Sequence, residues 1–266
     1  MILAAALSLA LLDPVTPSYD FPASPPETYQ VQLKFQGFIP LLGGQEGTAE
    51  VDFSMAVNGV AAGSDGMPRV AGSLTSFKAL FNDAELPVKL EDAQNYFPKT
   101  TITMTPQGKV LSTDAPDVPV PVKLPGMDVK RLPDVTYVPV EFPTDPIAVG
   151  TPWTYTKSFG GTDVSYTVTA TSITDEEIDM DLSVSQHYST YEDESNNQVK
   201  DVADAVSQVE TDLHATGKAV FDRHRHLVTS LEMKGEADSQ VKDLKGKPTG
   251  TRKLASQLSV KLGPAS

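Results

Sequence analysis

The chain has no cysteine. Disulfides, thiol catalysis and cysteine-bound zinc are excluded, as is a lipid-modified cysteine, so stability rests on core burial. Positive charge is scarce too: 21 Lys and Arg stand against 35 Asp and Glu, a formal net charge of −14. That balance repels a phosphate backbone and an anionic bilayer, so neither nucleic acid nor an acidic membrane surface is an expected partner. Tryptophan occurs once, at Trp153, which is thin for a carbohydrate-stacking platform. No apolar run reaches the roughly 20 residues that a transmembrane helix needs.

Catalytic signatures are missing as well. No serine sits in a G-x-S-x-G elbow, and neither H-E-x-x-H nor G-x-x-x-x-G-K-[ST] occurs. Ser239 and Lys242 match S-x-x-K, a short pattern that arises often by chance and has no companion motif here. His224 and His226 are flanked by Arg223 and Arg225, and neighbouring cations oppose metal binding. The acidic stretches Asp175–Asp181 and Glu192–Glu194 lack the spaced, glycine-turned loop of a calcium site. No catalytic residue, metal or cofactor is expected. Dispersed carboxylates of a hydrolase stay open as a third alternative, because only their spatial separation could reveal them.

What is present is alternation. Tyr29, Val31, Leu33 and Phe35 alternate with Gln30, Gln32, Lys34 and Gln36, the two-residue period of a strand with one wet face. Ala49 to Val57 repeats the pattern, and Asn58-Gly59 follows as an expected hairpin turn. Leu90–Phe97 reads as a short helix stopped by Pro98, and Thr105-Pro106-Gln107-Gly108 as a turn. Trp153, Tyr155 and Phe159 share a face, as do Val164 to Ala170 and Ile178 to Val184. Residues 199–208 fit either a helix or an edge strand. A long hairpin turns at Arg223–Arg225, and Leu254 to Leu262 closes the chain as a further strand. Residues 175–212 carry twelve acids against one base, and residues 213–266 carry ten bases against five acids. Neighbouring strands would let these charges pair.

The fold class expected is mainly β: a curved antiparallel sheet, half-barrel or barrel-like, with one or two short helices. Ile2–Leu12 has the length of a secretory signal's apolar core, although no Lys or Arg precedes it. Residues 1–25 are therefore read as a signal peptide and extended segment, and 26–266 as one β-rich domain, exported to the periplasm or beyond. Residues 114–152 hold nine of the 21 prolines yet are rich in Val, Leu, Phe and Met. They read as an ordered connection laid across the domain, with a linker between two domains as the alternative.

Val149-Gly150-Thr151-Pro152-Trp153 opening a strand, and Thr216-Gly217-Lys218-Ala219-Val220-Phe221-Asp222 before a hairpin, resemble phrases of exported lipoprotein-carrier half-barrels. That resemblance implies a curved sheet holding acyl chains on its concave face, here without an anchoring cysteine. A lipid or other apolar small molecule is then the expected partner. A sheet with so much apolar face must bury it against a second layer or a ligand, and the lining expected is Leu33, Phe35, Phe53, Met55, Trp153, Tyr166 and Met180. A non-catalytic structural or interaction protein of the cell envelope is the runner-up.

Overall fold

The computed structural model describes residues 14–40, 44–63, 66–116, 124–159 and 161–263. The apolar run Ile2–Leu12 and the Val118–Val122 stretch lie outside them. In chain order the strands are β1 (Glu27–Ile39), β2 (Gln45–Val60), β3 (Arg69–Phe81), β4 (Ala84–Glu85), β5 (Thr100–Met104), β6 (Val110–Asp114), β7 (Pro152–Phe159), β8 (Thr162–Ile173), β9 (Glu177–Glu192), β10 (Gln198–Val199), β11 (Ser207–Asp222), β12 (Leu227–Asp243) and β13 (Pro248–Leu262). A single α-helix, α1 (Leu90–Tyr96), lies between β4 and β5.

All 13 strands form one curved, open antiparallel sheet in the order β6-β5-β3-β2-β1-β13-β12-β11-β9-β8-β7, with β4 and β10 paired off that path. The chain runs as two meanders that meet where β13 returns beside β1, setting Leu33 opposite Leu258 and Val31 opposite Val260. Most steps within each meander are hairpins, the cheapest connections in an antiparallel sheet, while β3 reaches β5 through β4 and α1 and β9 reaches β11 through β10.

The alternation read from β1 recurs along most of the long strands and is broken at bulges such as those at Met55 and Ala170. Tyr29, Val31, Leu33 and Phe35 point inward and are buried, and so do Ile178, Met180, Leu182 and Val184 on β9. Outward-facing charges pair across strands much as the charge blocks suggested, Lys218 with Asp181 and Lys242 with Glu210, and Arg223 pairs with Asp175 between neighbouring turns. The exposed Lys218–Asp181 pair contributes little, whereas Lys242 and Glu210 are partly buried. Ser239 and Lys242 serve different partners, Thr211 and Glu210, so the S-x-x-K match is coincidental.

Two segments cover the inner face. Residues 14–25 run extended, with Val15 bridged to Ile147 and with Tyr19 and Phe21 buried. Residues 124–142 cross the sheet as a strap, including a 3-10 turn at Val129–Val135. Tyr137, Val138 and Val140 of the strap are fully buried. The strap touches both meanders, because the Tyr137 ring lies 6.0 Å from that of Tyr29 on β1 while the Lys157 ammonium of β7 reaches the Val138 carbonyl.

One turn expectation is corrected. Asn58 and Gly59 do not turn; they continue β2 opposite Ala71 and Val70. Gly59 is there for room: the backbone of the N-terminal segment passes over it, its N–H bonds the Pro22 carbonyl, and a Cβ would strike the Phe21 carbonyl oxygen. A missing side chain can mark a close approach as well as a turn. The uncertain stretch 199–208 resolves into β10, a 3-10 turn at Val202–Asp204 and the start of β11.

Candidate functional site

The inner face is filled in three zones. At one end Tyr19, Phe142 and Phe221 pack edge to face, with centroids 5.0 Å (Phe142–Phe221) and 5.5 Å (Tyr19–Phe221) apart. Such packing is dense and leaves no room. In the middle the strap stands off the sheet and leaves a cavity of about 80 Å³. At the far end the inward side chains turn polar around Glu192 and Arg252.

The central cavity is apolar. Leu33 and Phe35 of β1, Tyr166 of β8, Leu182 of β9, Leu213 of β11 and Leu231 of β12 form its floor, and Met127, Val135 and Pro139 of the strap form its roof. Ala215 and Gly235, paired across β11 and β12, both lie in the floor, where Gly235 permits close packing because a Cβ there would press on the Ser256 hydroxyl and the Ala215 methyl. At about 10–15 Å³ per water-sized group, the cavity has room for roughly five to eight such groups. The wider hollows on the outer face are polar and open, lined by residues such as Gln32, Lys34 and Lys218.

Of the seven residues expected to line a ligand site, the structure brings Leu33, Phe35 and Tyr166 together at this cavity. The other four do core work elsewhere. Phe53 stacks on Phe97, 5.9 Å away, beneath the helix end. Met55 and Met180 are buried in the sheet's core. Trp153 is half-buried against Phe142 and donates its indole N–H to the Glu141 carbonyl.

What the sequence reading missed is the ionic clasp that holds the roof. Lys157 lies on the same inward face of β7 as Tyr155 and Phe159 and is buried. Its ammonium donates to the carbonyls of Asp134, Val138 and Pro139 at 2.8, 2.9 and 3.2 Å. It also sits 3.5 Å from the Asp134 carboxylate, which is 1% exposed. Arg131 grips that carboxylate with Nε and a terminal nitrogen, at 2.9 and 3.0 Å, and bonds the Ser158 carbonyl. Tyr155 and Tyr166 are stacked 4.8 Å apart and flank the lysine. Burial pulls the Lys157 pKa down, and the Asp134 carboxylate opposes that fall. A single lysine in an otherwise apolar alternating strand was the available signal.

The polar zone was missed as well. Arg252 contacts both oxygens of Glu192 at 2.9 and 2.6 Å, bonds the Asn196 side chain at 2.7 Å, and lies over the Phe38 ring. Glu192 is 2% exposed. Burial raises its carboxyl pKa, and Arg252 pulls it back. Thr211 and Ser239 share a hydroxyl–hydroxyl bond of 2.8 Å beside Tyr188. Among the described residues, no group of three or more His, Asp or Glu could hold a metal, and no helix is long and apolar enough to cross a membrane.

No protein-family model matches the chain, and no curated protein matches it. A solved structure described as "Lipid-protein interactions in lipovitellin" is similar to it with a TM-score of 0.43 and 10% identity, over 92% of this chain. The chain spans 26% of that protein's length.

Proposed function

We propose that this chain binds an apolar, chain-like ligand in the central cavity, between the sheet's inner face and the strap. The observation that carries the reading is an unfilled apolar space, about 80 Å³, in the middle of a face packed tightly at its aromatic end. Interiors are close-packed, and apolar space left beside Ala215 sacrifices dispersion contacts that a larger side chain would supply. The room, roughly five to eight water-sized groups, suits a short alkyl segment. The two buried carboxylates, Asp134 and Glu192, are each engaged by their own arginine, which supports a binding role over hydrolysis.

The test is uptake of the uncharged probe N-phenyl-1-naphthylamine by the purified chain. Enhanced probe fluorescence is expected, displaced by 1-decanol. Ala215→Phe, which fills the cavity floor, is expected to weaken probe binding about tenfold or more while leaving the circular dichroism unchanged. Equal binding by the variant, or no binding by the parent chain, would reject the reading. A second reading, a non-catalytic structural protein of the envelope, draws on the complete burial of Tyr137, Val138 and Val140, which makes the strap a core layer. Absence of probe uptake would favour it.

We also propose export, from the apolar run Ile2–Leu12. Because Val15 bridges Ile147 and Tyr19 is buried, the mature chain is expected to begin no later than Val15. Cell fractionation with N-terminal sequencing checks this; a cytoplasmic chain retaining Met1 would refute it.

A further inference from the structure

The polar zone continues the cavity directly. Along β11 the inward residue after Leu213 is Thr211, and along β12 the inward residue after Gly235 is Ala237, followed by Ser239. Along β13, Leu254 follows Ser256. The first of each pair lines the apolar cavity and the second lines a smaller space of about 30 Å³, with Pro125 of the strap shared by both. Strand residues two apart are about 7 Å apart, so a chain lying in the cavity would place its head group among these polar side chains.

Their charge decides what that head can be. Arg252 is the cation best placed to receive an anion, yet Glu192 occupies it with both carboxylate oxygens, and Asn196 takes a further bond. The remaining groups facing the space are neutral: Tyr188, Thr190, Thr211, Ser239 and Gln198. Lys253, which borders it, is turned to Asp238 at 3.1 Å. An incoming carboxylate would have to be desolvated beside Glu192, a charge already nearly sealed from water, and would find its countercharge taken. An alcohol, ester or amide would find hydroxyl donors and acceptors at no such cost.

Resting on the cavity reading above, we propose that the ligand is an alkyl chain ending in an uncharged hydrogen-bonding head, and that the Glu192–Arg252 pair excludes free carboxylates. Glu192 acts as a selectivity residue by keeping Arg252 neutralised.

The experiment displaces N-phenyl-1-naphthylamine from the full chain with 1-decanol, methyl decanoate and decanoate. At pH 8 the two neutral compounds are expected to compete at least about tenfold better than decanoate. Lowering the pH to 5, where the acid begins to carry its proton, is expected to strengthen decanoate binding and leave decanol unchanged. Glu192→Gln frees the Arg252 charge and is expected to shift the decanoate-to-decanol preference about tenfold toward decanoate at pH 8. Decanoate competing as well as decanol at pH 8 with the parent chain would overturn the head-group assignment alone. Failure of every compound, and of the probe, would overturn the cavity reading and this one with it. If the glutamine variant does not fold, the parent chain's pH dependence decides.

Discussion

Lys157→Ala is expected to lower the stability of the chain by about 3–5 kcal/mol, the cost of removing one partner from a buried charge pair. The lysine is 4% exposed and satisfies three strap carbonyls at once. Without it those oxygens lose a charged donor, and the Asp134 carboxylate keeps only Arg131. Lys157→Met fills the same volume but supplies no donor, so it should recover packing and little else. In urea the unfolding midpoint should fall by about 1–2 M for the alanine variant. Hydrogen exchange should rise first in residues 132–142, because the clasp holds that segment to β7. Since Val135 and Pro139 roof the cavity, probe binding should weaken along with it. A midpoint unchanged for both variants would show that the clasp is dispensable.

Alkaline unfolding between about pH 10.5 and 12 is the second large effect. Burial raises the pKa of Tyr19, Tyr29, Tyr137, Tyr155 and Tyr166, and pushes Tyr188 up to about 12. An unfolded tyrosine loses its proton near pH 10, so above that pH the unfolded chain releases protons that the folded chain retains. The stability these six contribute is complete below pH 10 and is lost as pH rises toward their folded values. One unit above 10, each costs about 1.4 kcal/mol and the six together about 8, comparable with the whole stability of an ordinary domain. Lys157 works in the opposite direction, since its lowered pKa makes stability rise with pH up to its unfolded value near 10.5, but it is a single group. Tyrosinate absorbance at 295 nm from the buried six should therefore appear in step with loss of near-ultraviolet dichroism. Full ionisation of these rings in a chain that stays folded at pH 11.5 would contradict their burial.

The strand pattern was legible because it is local. Each residue of β1 declares its face by polarity alone, and a two-residue period survives whatever the strand packs against. The short helix at Leu90–Tyr96 and the turn at Gly108, which has φ of +91°, were legible for the same reason. Asn58-Gly59 misled because glycine serves two purposes, and only the path of Phe21 and Pro22 shows which applies. Of the seven residues expected to line a ligand, Leu33, Phe35 and Tyr166 lie at the cavity and Phe53, Met55, Trp153 and Met180 lie elsewhere, although all seven have the same character. Inward direction follows from alternation, but whether an inward residue meets a neighbour or an empty space depends on where the strap runs.

From its residues alone, this protein's antiparallel sheet, its wet and dry faces and its lack of thiol chemistry were determined, since each depends on residue type and nearest neighbours in sequence. Tertiary structure alone decided the cavity, the clasp and the polar zone. The cavity is a difference between two packed surfaces, and Lys157 meets Asp134, and Arg252 meets Glu192, only after the strap has crossed and the strands have paired. Burial gives those charges their strength, and burial is a property of the assembled chain.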